Sequence, residues 1–526
     1  LSIKLNAFGY DLIEHYFVKN IEENEFWLFG SHGVETERPI SKNTDGELRD
    51  VANQTIFGIK YDLQDFSFML PVEFWIQNRV YTQYDDTKEL LGTPFYVITE
   101  PETESGDYHI FKCLSNAGGS QSSQKPQFNE SVQDGIYFLS DGYIWKHMSS
   151  TSITSFRKFF SRGLMPVFRD QQIEDIADTG LYNIVVENPT TNNGYERITG
   201  ISRSIDVRPG VVRIFLRDLL SKTQQINPIF ESPNKYINRS IYIQKAVTSS
   251  SISAGEFPII ESGVVNSIPF VSIETPTNFT PEAGDQIEIL PKVEIIGDGS
   301  GASAIPIFNK TNTRIESIKM LSNGDGYTIS NVSIADPVSF DPTNVNRQDI
   351  RCVLRPIISP EGGHGSNIIK ELYVRHIGLS KTVSSVADSI IPSSGSYSKF
   401  SVVKNPEFVS SFNSDSFDNR IKITFDGPLP GNIEVGDMVE QGEVKGVVHQ
   451  LDNETDSIFV INYTGPYTSI FVDTEPLRFE ASNFDINTID YSPYVIGSGI
   501  VFSIVDATPI ERSNERTEQI KLVLDF

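Results

Sequence analysis

Cysteine is nearly absent. Cys113 and Cys352 are the only thiols in 526 residues, which excludes a disulfide-dense secreted framework and a cysteine-based zinc cluster. Folding in a cytosol is the expectation that follows. Methionine is scarce too, with 5 residues, so helix-rich, Met-lined cores are not expected. Basic charge is in deficit: 43 Lys and Arg face 69 Asp and Glu, a net charge of -26. That balance argues against non-specific binding to nucleic acid or to an anionic membrane face, because both need an excess of Lys and Arg. No apolar run approaches the roughly 20 residues that span a bilayer. Leu1 to Tyr10 carries no basic region followed by an apolar stretch, so neither a signal peptide nor membrane insertion is expected.

Catalytic signatures are missing as well. The chain contains no G-x-x-x-x-G-K-[ST], no G-x-S-x-G and no H-E-x-x-H. Its 7 histidines are scattered without ligand spacing, so no metal or other cofactor is expected. Gly297-Asp-Gly-Ser-Gly301 and Asn323-Gly-Asp-Gly326 read as tight turns, because the spaced carboxylates of a calcium loop are not there. Gly362-Gly-His-Gly-Ser-Asn367 reads as a loop and not a phosphate cradle, since no strand-to-helix pattern surrounds it. Glycoside hydrolysis needs two carboxyls at a defined separation, and nothing singles out a pair among 69 acids.

What the sequence has in quantity is the short run of alternating apolar residues closed by Gly, Asn, Asp or Pro. Phe95-Tyr-Val-Ile, Tyr108-His-Ile-Phe-Lys-Cys-Leu, Gly142-Tyr-Ile-Trp, Val211-Val-Arg-Ile-Phe-Leu and Ser401-Val-Val are examples. Period two with β-branched and aromatic residues predicts half-buried strands. Helical spacing is sparse, with candidates at about Phe8 to Asn20, Ile173 to Ala177 and Arg217 to Ser221. The predicted class is mainly β and multi-domain: a β-sandwich-like frame with inserted small β modules and few short helices. Two stretches resemble each other, Thr179 to Tyr195 and Thr313 to Tyr327, each a strand followed by a Gly turn ending in Tyr. Residues 411–490 have the strand spacing of a small barrel. Ser115 to Gln124 reads as a Ser/Gly-rich linker. Against the acidic background stand Arg157, Lys158 and Arg162, interleaved with Phe156, Phe159 and Phe160. They are either an interface patch toward an acidic partner or ordinary solvated cations.

Several segments, in order, resemble a known family. Glu25-Phe-Trp-Leu-Phe-Gly30, Trp75 followed by Tyr81-Thr-Gln-Tyr-Asp-Asp86, Tyr108 to Leu114, Asp141-Gly-Tyr-Ile-Trp-Lys146, Gly362 to Asn367, Phe400 to Pro406, Gly499 to Pro509 and Glu518 to Phe526 resemble the gene-eight baseplate wedge protein of T-even-type contractile-tailed phages. The longer cyanophage members are the nearest in pattern. One departure is Val72-Glu-Phe, where the family pattern has Pro-Arg ahead of the Trp. The resemblance covers about 1–170, 350–410 and 490–526. It implies core segments at 1–170, 346–410 and 491–526, with an inserted β-repeat module at 171–345 and a barrel-like insert at 411–490. It further implies a non-enzymatic, mostly β structural subunit of the virion tail baseplate, assembled in the host cytoplasm. Its implied partners are a second copy of itself and other baseplate wedge proteins, with tail-fibre or accessory proteins at the inserted modules. Trp27, Trp75 and Trp145 fall in resembling segments and are candidate interface residues, with core packing as the alternative. The rival readings are a receptor-binding or fibre-attachment protein and a tail-associated glycan hydrolase.

Overall fold

The computed structural model describes residues 13, 18–31, 54–221, 224–225, 233–237, 239–246, 254–309, 314–336, 351–383, 396–464, 471–511 and 517–525. The chain is mainly β, with several antiparallel sheets and few short helices. Two compact units are woven from alternating stretches of sequence. One contains Leu1–Pro71, Thr154–Val167 and Val374–Phe526, and the other contains Val72–Ile153 and Phe168–Tyr373. The first 170 residues therefore contribute to both. No described helix is long and apolar enough to cross a membrane.

The first unit is organised by strands whose partners lie far away in sequence. Phe26–Ser31 is apolar without alternation and buried throughout, which suits a strand covered on both faces. It pairs with Thr55–Lys60 on one side and with Ser396–Lys404 on the other. Ser416–Asp418 and Ile500–Glu511 complete that five-stranded sheet. Trp27 and Phe29 project to one face and pack with Val403, Phe417 and Tyr494. Phe26 projects to the other and meets Phe66 edge-on at 5.9 Å. Phe66 opens a strand of a second sheet, ordered Glu518–Asp525, His376–Val383, Phe66–Pro71 and Leu164–Val167. Strands between Ile421 and Asp490 form a separate seven-stranded sheet with its own core around Ile423, Val439, Val448, Ile458 and Leu477.

The second unit holds a four-stranded sheet ordered Tyr96–Thr99, Asp107–Asn116, Tyr143–Ser152 and Ile136–Phe138. It also holds an eight-stranded sheet drawn from residues 198–291 and three two-stranded ribbons between 184 and 356. The two resembling stretches end alike. Gly194 and Gly326 both have positive φ, and Tyr195 and Tyr327 are both buried. The Tyr195 hydroxyl accepts from the Cys352 backbone N–H at 2.8 Å, and that of Tyr327 from Ala302 at 3.3 Å. The strands that lead into these turns differ in length, Ile184–Val186 against Ile315–Asp325.

Four local expectations need correction or relocation. Arg217 to Ser221 is not helical; it is the end of the strand Val211–Ser221. Residues 218 and 219 bulge opposite Gly200, with Asp218 at φ 53°. The bulge turns Leu216 and Leu219 to the same buried side, so a strand acquires helix-like i,i+3 spacing. The helix near Ile173 runs over Gln171–Asp175, capped by Asp170, whose side chain accepts from Gln172 N–H. Of the helix expected at Phe8 to Asn20, only Ile13 and the end, inside Val18–Glu23, are described, and the rest lies outside the described residues. Ser115 to Gln124 is no free linker: Ser122 is fully buried, and the Ser123 and Gln124 N–H groups bind Asp141 Oδ2.

The Phe-Gly step at residue 30 has a steric reason. Gly30 lies opposite Phe57 in the ladder, and a Cβ on it would fall 2.2 Å from the Phe57 ring. Phe57 cannot swing away, because it is buried and packs edge-on against Tyr397 at 5.3 Å. Gly30→Ala is therefore expected to lower the free energy of unfolding by about 1–3 kcal/mol. Gly431→Ala, which meets open space, is expected to change it by under about 0.5 kcal/mol. Urea denaturation of the two variants checks the contrast.

Candidate functional site

Four of the quoted motifs converge inside the second unit on one buried polar cluster. Tyr81 to Asp86 supplies Tyr84, Tyr108 to Leu114 supplies Lys112, Asp141 to Lys146 supplies Lys146, and Gly362 to Asn367 supplies His364. A short helix, Ile368–Glu371, adds Glu371.

Lys112 sits on the strand Asp107–Asn116, on the same face as the buried Ile110. Its ammonium has no route to water and donates to Glu371 Oε2 at 2.6 Å. The Lys112 Nζ lies 3.1 Å from His364 Nδ1 and 4.2 Å from the centre of the Tyr84 ring. Glu371 Oε1 accepts from the backbone N–H of Gly365 at 2.8 Å and of Asn367 at 3.2 Å. Asn367 caps the helix by accepting from Lys370 N–H. His364 is held by its backbone, which exchanges two hydrogen bonds with Asp178, and its ring meets Tyr84 edge-on at 4.7 Å. Tyr182 donates to Asp178 Oδ1 at 2.6 Å. Lys146 donates to the Asp134 and Ile176 carbonyls at 2.7 and 2.9 Å.

The glycines explain why the loop can enter so crowded a place. A Cβ on Gly363 would fall 2.9 Å from the Asp178 backbone, and one on Gly365 would fall 2.9 Å from the Lys146 side chain. Both residues also have positive φ, which glycine adopts without steric cost. The Gly365 and Asn367 N–H groups of the loop are occupied by Glu371. Beside the cluster, Asp85 is 2% exposed and takes Arg355 in a two-bond clasp at 3.1 and 3.0 Å. Burial would raise its carboxyl, but Arg355, Thr87 and Lys88 hold it well below the usual range.

Charge in the cluster is fixed by opposing effects. Burial penalises the Glu371 carboxylate, yet Lys112 and His364 outweigh that and bring its pKa down to about 2. Burial lowers the Lys112 ammonium against the pull of Glu371. His364 is lowered to about 4, first by burial and then by the Lys112 charge. The ground state at neutral pH is thus a Lys112–Glu371 ion pair beside a neutral imidazole. The first consequence is mechanical: a strand, a loop and a helix that are 259 residues apart at the ion pair are fastened at one point.

The residues singled out by sequence lie elsewhere. Arg157 and Lys158 are on the helix Ile153–Phe159, and Arg162 lies in the turn that follows, at φ 51°. Lys158 turns inward within the first unit, donating to Asp65 Oδ1 at 3.0 Å and to the Gln64 carbonyl at 2.8 Å. Asp65 also receives Lys381 at 2.8 Å. Arg157 and Arg162 are exposed, so a surface patch here consists of those two and not Lys158. Trp27 is 2% exposed and surrounded by Phe408, Phe412 and Phe417. Trp145 is fully buried, stacked on Tyr143 and edge-on to Tyr81. Both indoles fill cores of their own chain and present no surface. Trp75 is half-buried and donates to Ser122 Oγ at 3.1 Å. Sequence reasoning missed Glu371 and the Lys112 pairing. The available signal was a lysine on the inward side of an alternating strand.

Among the described residues no group of His, Cys, Asp and Glu is arranged to hold a metal ion. Both cysteines are free and buried, and burial pushes their thiols up, that of Cys352 to about 12. No family model matches the chain, and no curated protein matches it.

Two outcomes follow. Lys112→Met strands the Glu371 charge in a dry site and is expected to cost about 3–5 kcal/mol. Adding Glu371→Gln removes that charge while keeping an acceptor for Gly365 and Asn367, so the double variant is expected to unfold at a higher temperature than Lys112→Met alone. The second concerns pH. His364, and His147, which burial lowers to about 3 with His109 and Lys146 adding, take up protons near 6.5 only when unfolded. Their stabilisation is complete above about pH 6.5 and is lost as pH falls toward the folded values. Urea midpoints are expected to fall between about pH 7 and pH 5, and His147→Gln to flatten part of that slope.

Proposed function

We propose that this chain is a structural subunit of a contractile phage tail baseplate, of the gene-eight wedge type, and that it acts without covalent chemistry on a substrate. The single observation that carries the reading is the convergence of the resembling segments. Glu25 to Gly30, Phe400 to Pro406 and Gly499 to Pro509 lie in neighbouring strands of one sheet. Glu518 to Phe526 contributes a strand to another. Tyr81 to Asp86, Tyr108 to Leu114, Asp141 to Lys146 and Gly362 to Asn367 meet around Lys112.

In this role the binding energy resides in protein interfaces. A two-fold contact with a second copy is self-complementary. Contacts with neighbouring wedge proteins differ in strength between resting and triggered tails, and that difference sets the switch. The net charge of -26 opposes casual association, so stable contacts form where a partner offers basic or neutral surface.

Density from whole virions tests the proposal. The expected result is this chain in the outer part of each wedge, touching a second copy and neighbouring wedge proteins. Density at a fibre tip, together with glycan binding by the isolated chain, would overturn it in favour of a receptor-binding protein.

A further inference from the structure

The Lys112–Glu371 contact has more around it than an ion pair requires. An amine, a carboxyl group, a proton carrier and two oxyanion donors occupy one buried site. Lys112 Nζ is 2.6 Å from Glu371 Oε2. His364 Nδ1 lies beside the pair, 3.1 Å from Nζ and 3.9 Å from Oε2. The Gly365 and Asn367 N–H groups both point at the other carboxyl oxygen, Oε1. Two backbone donors on one oxygen are what a tetrahedral intermediate needs at its developing negative charge. The side chains of Lys112, Glu371 and His364 are at most 3% exposed.

We propose that Lys112 and Glu371 condense, once the chain has folded, into an intramolecular amide. The step balances as follows. A proton moves from the Lys112 ammonium to Glu371 Oε2, giving a neutral amine and a neutral acid, an uphill shift from the ion pair whose cost burial reduces because two buried charges disappear. The Nζ lone pair attacks Cδ, and the carbonyl electrons move to Oε1, where Gly365 and Asn367 hold them. His364 Nδ1 accepts the surplus proton from Nζ and returns it to Oε2. The Cδ–Oε2 bond breaks, water leaves, and the Nζ–Cδ amide remains. No oxidant or reductant is involved. His364 can accept that proton because it is neutral in the folded state. Fixed proximity supplies a high effective concentration of the reacting groups, and burial excludes the water that would reverse the step.

The product would tie the strand Asp107–Asn116 covalently to the helix Ile368–Glu371. It would resist force and denaturant in a way an ion pair does not. This inference stands on the geometry alone and is independent of where the chain acts.

The test is the intact mass of the full-length chain, purified after folding and measured under denaturing conditions. The expected mass is lower than that of the sequence by one water, and digestion is expected to yield a branched peptide joining Lys112 to Glu371. Lys112→Met is expected at its full sequence mass, and His364→Gln is expected to leave a larger uncondensed fraction. A wild-type chain at its full sequence mass would overturn the proposal. So would a water loss that maps to another site, such as a cyclised Asp-Gly step.

Discussion

The two-sheet frame of the first unit depends on strands that have no local partner. Phe26–Ser31 is flanked by Thr55–Lys60 and Ser396–Lys404. His376–Val383 is flanked by Glu518–Asp525 and Phe66–Pro71. Neither can satisfy its backbone hydrogen bonds until distant chain has returned to meet it, and an unpaired buried amide costs about as much as a lost hydrogen bond. The ordering entropy of long loops is met before those bonds form. Such a frame is held by segments that return to it from far along the chain.

The second unit solves a related problem by different means. Its four-stranded sheet is fastened to a Gly-rich loop through Lys112, Glu371 and His364. A buried ion pair is weak evidence for net stability, but it specifies one arrangement, because any other leaves a charge unpaired in a dry place. Asp85 and Arg355 repeat the device at 3.0 Å nearby. Each glycine of the loop that would clash if it carried a Cβ, Gly363 and Gly365, marks where backbone and side chain come too close for anything larger.

Much of the fold was legible because strands advertise themselves by period two. The run from Tyr108 to Leu114 and the one from Gly142 to Trp145 are strands in the structure. Legibility failed where a local irregularity imitates another period. The bulge at Asp218 makes Leu216 and Leu219 look like one face of a helix. The candidate site was legible only in pieces. Its motifs stood out as motifs, but the partnership of Lys112 with Glu371 spans 259 residues and leaves no local mark. Lys158 misled for the opposite reason. A cation beside phenylalanines looks like a surface patch, while its ammonium is spent on Asp65 inside its own unit.

Distant segments close the first unit cooperatively, as one frame. Native-state hydrogen exchange tests it most directly, read on the amides of Phe26–Ser31 and His376–Val383. Both strands are expected to exchange only through one shared global opening, with equal protection and equal response to denaturant. Exchange of either strand through an independent, shallower opening, while the other stays protected, would contradict it.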